Sequence, residues 1–261
     1  MQLIDTHTHL FSDKFNDDRT EVIQRAIDAG VERMYLPNIS KDTTDAMNEL
    51  VAEFPQHCFP MIGLHPCHVD AEGYQAEIDH VAEELATGRY FAVGETGLDY
   101  HWDLTFKEQQ HDALRQQISL AKKHQLPVVL HTRESFDDTY DLIAEQNDDS
   151  LTGVFHCFSG TAEQAHRVAE LGGFYIGIGG VATFKKTSHI EVLPQVPIDL
   201  IVLETDSPYL APTPYRGKRN ESAYLVQVAE RVSEIMGIPV AELAERTTAN
   251  ALALYKGNIK T

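Results

Sequence analysis

The sequence predicts a single (β/α)8 TIM barrel of the α/β class, with residues 1–261 as one domain. Three observations carry that expectation. Short runs rich in Val, Ile and Leu alternate with helical stretches along the whole chain, and such runs suit parallel strands buried on both faces. Eight of these units fit into 261 residues, an ordinary size for a closed barrel. Histidines and carboxylates recur where the apolar runs stop, which is where barrel enzymes gather their chemistry.

The elements follow in order. Residues 3–8 read as the first strand. Residues 17–29 make an amphipathic helix, with Val22, Ile23, Ala26 and Ile27 at helical spacing and Gly30 as its stop. Further strands are expected at 31–37, 58–64, 90–95, 127–131, 153–158, 174–178 and 200–204. Helices are expected between them at 42–54, 74–86, 105–125, 135–146 and 162–171, with a weaker segment at 188–193. Helices at 221–236 and 240–255 close the chain. An open doubly wound sheet is the competing architecture. It is disfavoured because no Gly-x-Gly-x-x-Gly follows the first strand.

A hydrophobic fraction of 43% and a charged fraction of 23% are those of a soluble globular protein. No apolar run approaches the ~20 residues that span a bilayer, and no secretion signal is evident at the N-terminus. Cys58, Cys67 and Cys157 are odd in number and form no CxxC, which points to a reduced, cytoplasmic protein. Nothing calls for an obligate protein partner. The net charge of −19 argues against a broad basic surface for nucleic acid. It still admits an enzyme that meets phosphate through bound cations.

The chemistry starts at Asp5-Thr6-His7-Thr8-His9. Alternate side chains of a strand share a face, so His7 and His9 converge if the strand runs through them. His-x-His alone matches by chance. Equivalent positions add weight: His65 after the third strand, Glu95 at the fourth, His131 at the fifth, His156 at the sixth, and Glu204 and Asp206 at the eighth. Any one of these is more often an ordinary hydrogen-bonding residue than a ligand. Buried without partners, each costs roughly 1–3 kcal/mol; around divalent cations they are satisfied together. Two cations bridged by a carboxylate use the whole set. His7, His9 and Asp206 then hold one, His131 and His156 the other, and Glu95 bridges. The mixture of imidazole and carboxylate suits Zn, Mn, Ni or Fe and leaves Mg open.

At these residues the sequence resembles the TatD family of metal-dependent deoxyribonucleases, within the amidohydrolase superfamily. The resemblance covers nearly the whole chain. It rests on DTHTHL, GLHP, GETGLDY, HTR, HCFSG, LETDSPYLAP and RGKRNE, which are specific together and not singly. It implies a TIM barrel, one or two divalent metals and hydrolysis of DNA, including 3′–5′ exonuclease action. It places the metal ligands on His7, His9, Glu95, His131, His156 and Asp206. Two positions depart from the family pattern: Thr96, where Ile or Cys is usual, and Ser222, where Pro is usual. Relatives acting on other esters, including D-aminoacyl-tRNA, make tRNA the alternative substrate to DNA strands or 3′ ends. A non-catalytic binding barrel is a third reading, disfavoured by six convergent ligands.

In the expected mechanism two cations share and acidify a water. Asp206 takes its proton and Glu95 holds the pair together. His65 binds a phosphate oxygen, protonates the leaving alkoxide, or only shapes the loop before Pro66. Arg133 clamps phosphate or pairs with Glu134 or Asp137. Lys185 and Lys186, with Arg216, Lys218 and Arg219, are strand-docking groups or solvated loop charge, and Arg219 has the further option of anchoring Glu204 or Glu221. Among Tyr100, Trp102, Phe184, Tyr209 and Tyr215, one or two are expected to stack on bases. Cys67 and Cys157 read as small buried hydrophobes. His68 and His101 read as surface groups or as supports to the ligands.

Overall fold

The computed structural model describes residues 1–102, 104–148 and 150–255. Strands and helices alternate as β1 (Leu3–Asp5), α1 (Arg19–Asp28), β2 (Val31–Pro37), α2 (Lys41–Glu53), β3 (Cys58–Met61) and α3 (Tyr74–Leu85). They continue as β4 (Val93–Asp99), α4 (Lys107–His124), β5 (Val128–Arg133), α5 (Phe136–Gln146), β6 (Gly153–Phe155) and α6 (Ala162–Glu170). The chain ends with β7 (Phe174–Ile178), α7 (His189–Val192), β8 (Ile201–Leu203), α8 (Leu225–Met236) and α9 (Val240–Leu254). Local chemistry sets the ends. Thr161 Oγ1 accepts from Gln164 N (3.2 Å), and Gln164 Oε1 accepts from Thr161 N (3.0 Å), a reciprocal cap that opens α6. Gly237, at φ 68°, ends α8.

All strand pairs are parallel, in the runs β1-β2-β3 and β4-β5-β6-β7-β8. Two seams join the runs into a TIM barrel. At one, Ile62 N donates to Ala92 O (3.2 Å) and Gly94 N donates to Ile62 O (2.9 Å). At the other, Thr6 N donates to Leu203 O (3.1 Å), Asp206 N to His7 O (2.8 Å) and His9 N to Ser207 O (2.7 Å).

Several boundaries differ from the expected ones. β1 stops at Asp5, so His7 and His9 lie on the segment beyond it, and β6 stops at Phe155, one residue before His156. β3 stops at Met61, so His65 stands in the following loop, where it opens a 3-10 turn over Pro66–His68. β4 runs on to Asp99 because it stays paired with β5 as far as Arg133, which puts Glu95 inside the strand. A 3-10 turn over Ser222–Tyr224 precedes α8, which therefore starts later than residue 221.

The lower interior is filled by one residue from each strand position around the ring: Ile4, Tyr35, Met61, Ala92, Val129, Val154, Tyr175 and Val202. Each fully buried Val or Ile there contributes roughly 1.5–3 kcal/mol. Leu254 and Tyr255, at the end of α9, plug the layer from below, with Tyr255 stacked on Tyr35 at 4.1 Å. Two residues further on, the same face carries His131 within β5, and His156 and Glu204 directly after β6 and β8. On β7 that position is Gly177, where an added Cβ would run into the Glu204 carboxylate.

Gly97 is set between β4 and the His131 backbone at φ 139°, with no room for a methyl group against the His131 carbonyl. Gly97→Ala must strain the backbone and push β5 away. We expect a loss of about 3 kcal/mol or more, seen as a Tm lowered by about 6–12 °C in calorimetry. An unchanged Tm would contradict the close approach.

Candidate metal centre

Glu95 lies at the centre of the barrel mouth with only 3% of its side chain exposed. Its two oxygens face different histidines. Oε2 is 3.2 Å from His7 Nε2 and 3.5 Å from His9 Nε2. Oε1 is 2.9 Å from His131 Nδ1, 3.2 Å from His156 Nε2 and 3.3 Å from His65 Nε2. Asp206 joins the first group, with Oδ1 3.5 Å from His9 Nε2 and 3.8 Å from His7 Nε2. It reaches this position at φ 54°, a left-handed conformation that Asp tolerates better than most residues.

The donor spacing fits metal ions. Ligand atoms at 2.0–2.1 Å on a tetrahedral cation stand roughly 3.3 Å apart. The His7 and His9 Nε2 atoms are 3.2 Å apart, and both are at similar distances from Glu95 Oε2. His7–His9–Glu95 and His65–Glu95–His131 each gather three ligand-type atoms, and Glu95 belongs to both sets. A third set, His7–His156–Glu204, lies beside them. Glu204 Oε2 and His7 Nδ1 are buried with no hydrogen-bond partner, as polar atoms in a metal-binding pocket can be.

The far ring nitrogens of His9, His131 and His156 are held, which aims the near ones. His9 Nδ1 donates to the Pro37 carbonyl (3.2 Å). His156 Nδ1 donates to Glu204 Oε1 (3.2 Å), which also accepts from Cys157 N (2.6 Å). His131 Nε2 donates to Asp99 Oδ2 (2.8 Å). Such outer hydrogen bonds fix ring orientation and tautomer in metal sites. His65 is set differently. Its Nδ1 accepts from Cys67 N (3.0 Å), so the neutral ring carries its proton on Nε2, facing Glu95. Asp99 and Glu204 were not singled out for these supporting roles from sequence. The available signal was an acidic residue at or just past the end of an apolar run.

Burial and mutual charge set the protonation. Burial works to raise Glu95, but His65, His7, His156 and His131 outweigh it and hold its carboxyl well below the usual range. Burial works to lower His9, yet Asp206 and Glu95 lift it to about 9. His156 is lifted well above its ordinary value, against burial, by Glu204 and Glu95, and His131 is lifted by Asp99 and Glu95. Burial and the neighbouring His156 lower His7. Burial lowers His65 to about 4 against the pull of Glu95.

The remaining candidates divide. Trp102, Arg133, His65, His68 and Tyr209 line a cavity of about 250 Å3 over the ligands. Arg133 has no carboxylate partner among the described residues. Its guanidinium lies 5.1 Å over Trp102, while Glu134 pairs with His101 and Asp137 with Arg167. The Tyr100 hydroxyl is engaged with His111 and Asp138 (2.6 Å each), Tyr215 stacks on Tyr224, and Phe184 is covered by Arg216. Cys67 is exposed, contrary to the expectation of burial, because the turn at Pro66 carries it out to the rim. Arg219 pairs with Asp18 (2.7 Å) rather than Glu204 or Glu221; Glu221 is taken by Arg25 (2.6 Å).

Comparison with known proteins identifies the family. Residues 4–256 match the family model described as TatD related DNase. The metal-dependent hydrolase YabD of Bacillus subtilis is 37% identical over 98% of this chain and 100% of its own. A 3′-5′ ssDNA/RNA exonuclease TatD from Erwinia tasmaniensis is 32% identical over 97% of this chain and 99% of its own. The crystal structure of YJJV, a TatD homolog from Escherichia coli K12, superposes with a TM-score of 0.90 at 29% identity, covering 97% of this chain and 98% of that one.

His9 and His156 hold their protons at pH 7 in the metal-free protein, and His131 is shifted the same way, so an incoming cation displaces protons. Metal affinity therefore rises with pH through the region near 9 in which His9 loses its proton. Isothermal titration calorimetry in buffers of different ionisation enthalpy counts the protons released. Zero release at pH 7 would contradict this protonation.

Proposed function

The chain belongs to the TatD-related DNase family and is a metal-dependent hydrolase; from that premise we propose that it is a two-cation 3′–5′ exonuclease acting on single-stranded DNA. The observation that carries the reading is the division of imidazoles between the two oxygens of Glu95. His7, His9 and Asp206 would hold one divalent cation, His131 and His156 a second, and Glu95 would bridge them. Zn, Mn, Ni, Fe and Mg are all compatible with these donors. The cations, when bound, supply Lewis acidity toward phosphate and a nucleophile at neutral pH. Residues 1–261 serve as one catalytic domain, and the free thiols of Cys58, Cys67 and Cys157 suit the cytoplasm.

The protein's own groups then have distinct tasks. Asp206, with 15% of its side chain exposed, is more open to solvent than Glu95 and stands where it can orient the attacking water and receive its proton. The water oxygen bonds to phosphorus, the P–O bond to the remaining strand breaks, and the departing alkoxide takes a proton from solvent. His65, neutral with its proton on Nε2, donates to a non-bridging phosphate oxygen rather than serving as an acid. Arg133 supplies the second contact to phosphate from the cavity wall. Trp102 is 70% exposed and Tyr209 46% exposed, both on the same cavity, and they offer ring faces to an unpaired base.

Parallel assays on 3′-labelled single-stranded DNA and on D-aminoacyl-tRNA test the substrate. Stepwise loss of nucleotides from the 3′ end is expected; deacylation with intact DNA would overturn the nuclease reading. Glu95→Gln keeps the shape and removes the bridging charge. It is expected to lower bound metal from near two equivalents to one or fewer, and turnover by at least about 100-fold. Elemental analysis with full metal retention would refute the bridging role.

A further inference from the structure

We propose that the loops following β7 and β8 form a cationic ridge that carries the single strand upstream of the cleaved bond. The inference rests on the nuclease reading and adds where the rest of the substrate lies. A groove of about 510 Å3 leads away from His131, His156 and Asp206 to Val181 and Leu210, where these two loops meet. The loops act as one surface. Thr213 N donates to Thr183 Oγ1 (2.8 Å), the Arg216 guanidinium lies 3.6 Å over the Phe184 ring, and Gly180 packs against the Leu210 carbonyl.

The charge on this surface is opposite to that of the molecule. Residues 179–190 and 207–220 contain Lys185, Lys186, Arg216 and Lys218, besides the Arg219 that pairs with Asp18, and no Asp or Glu, in a chain of net charge −19. Elsewhere, Arg25, Lys107, Lys122, Arg167 and Arg246 are spent on ion pairs. Lys185, Lys186 and Lys218 are exposed, and none has an ion-pair partner among the described residues. An ammonium with no carboxylate beside it is available to a phosphate, and each such pairing releases counterions from the strand. A polyanion approaching an acidic protein is repelled except where this ridge meets the groove. The other side of the mouth is walled by Trp102 and His68 over the smaller cavity, which suits the terminal nucleotide and no longer segment, and Arg133 lines both spaces.

The test uses the metal-loaded full chain and the variant Lys185→Glu/Lys186→Glu/Lys218→Glu. Three substrates are compared: bis(p-nitrophenyl) phosphate, a thymidine dinucleotide and a twelve-nucleotide oligothymidylate. For the long strand, KM is expected to rise about tenfold or more with kcat nearly unchanged. The dependence of log KM on log salt should flatten by about 0.7 for each phosphate that no longer meets a lysine. The two small substrates are expected to turn over as in the unmodified protein, which also shows that the fold and metal centre survive. Lys185→Arg/Lys186→Arg should retain the low KM for the long strand. Unchanged KM and salt slope for the long strand in the Glu variant would overturn the ridge while leaving the nuclease reading intact. An unmodified enzyme that cleaves the small diester and never shortens the oligonucleotide would overturn both.

Discussion

A buried, charged carboxylate is the constraint that organises this barrel. Taking an ionised Glu out of water costs several kcal/mol unless its lone pairs are met. Glu95 is inside β4, nearly inaccessible, and it stays charged because imidazoles surround it at about hydrogen-bond distance. Those imidazoles come from β1 and its extension, from the loop after β3, and from β5 and β6. Only a closed ring of strands brings segments so far apart in the chain to one point. The seam between β1 and β8 has a direct part in this: Asp206 N is bonded to His7 O and His9 N to Ser207 O. Closing the barrel and assembling the first ligand group are thus one event.

The layer beneath explains why the cluster can be so polar. Ile4, Met61, Val129, Val154 and Val202 fill the ring below, and Tyr255 seals it. Water therefore reaches Glu95 only from the mouth. In that low-dielectric floor every hydrogen bond to a ring nitrogen counts for more, and every unpaired polar atom costs more. The pairings His156–Glu204 and His131–Asp99 follow from this: a buried ring with one nitrogen aimed at the centre needs an acceptor for the other. Gly177 completes the arrangement by leaving the space that the Glu204 carboxylate occupies.

These features were unequally legible in the sequence. His7 and His9 could be read because their relation is local, two residues apart on the one segment that continues β1. His131, His156 and Asp206 could be read because parallel strands end in a common plane, so position along each apolar run stands for position in space. The role of His65 required a turn no periodicity describes: its Nδ1 accepts from Cys67 N, and this decides which nitrogen carries the proton. Asp99 and Glu204 support rings 32 and 48 residues away, and pairings over that distance depend on register. The same holds for Arg219, whose partner Asp18 is 201 residues distant, and for the extent of β4, which pairing with β5 prolongs to Asp99. Local rules thus found the residues that converge on Glu95, and tertiary register decided their supports.

Net charge bears on how such a site meets a nucleic acid. At −19, the protein repels a polyanion over most of its surface, so general adhesion along a strand or duplex contributes little. What attraction exists must be local, at the mouth where carboxylates are matched by imidazoles, and at loops free of acidic groups. This arrangement favours a chain end over a continuous backbone. An end can enter the mouth while most of the strand stays in solvent, whereas an internal segment must bring both flanks against acidic rims. For the proposed exonuclease, the repulsion that weakens binding would also speed departure of a cleaved, doubly charged nucleotide. On that reading, selectivity comes from where repulsion is relieved rather than from a strong grip.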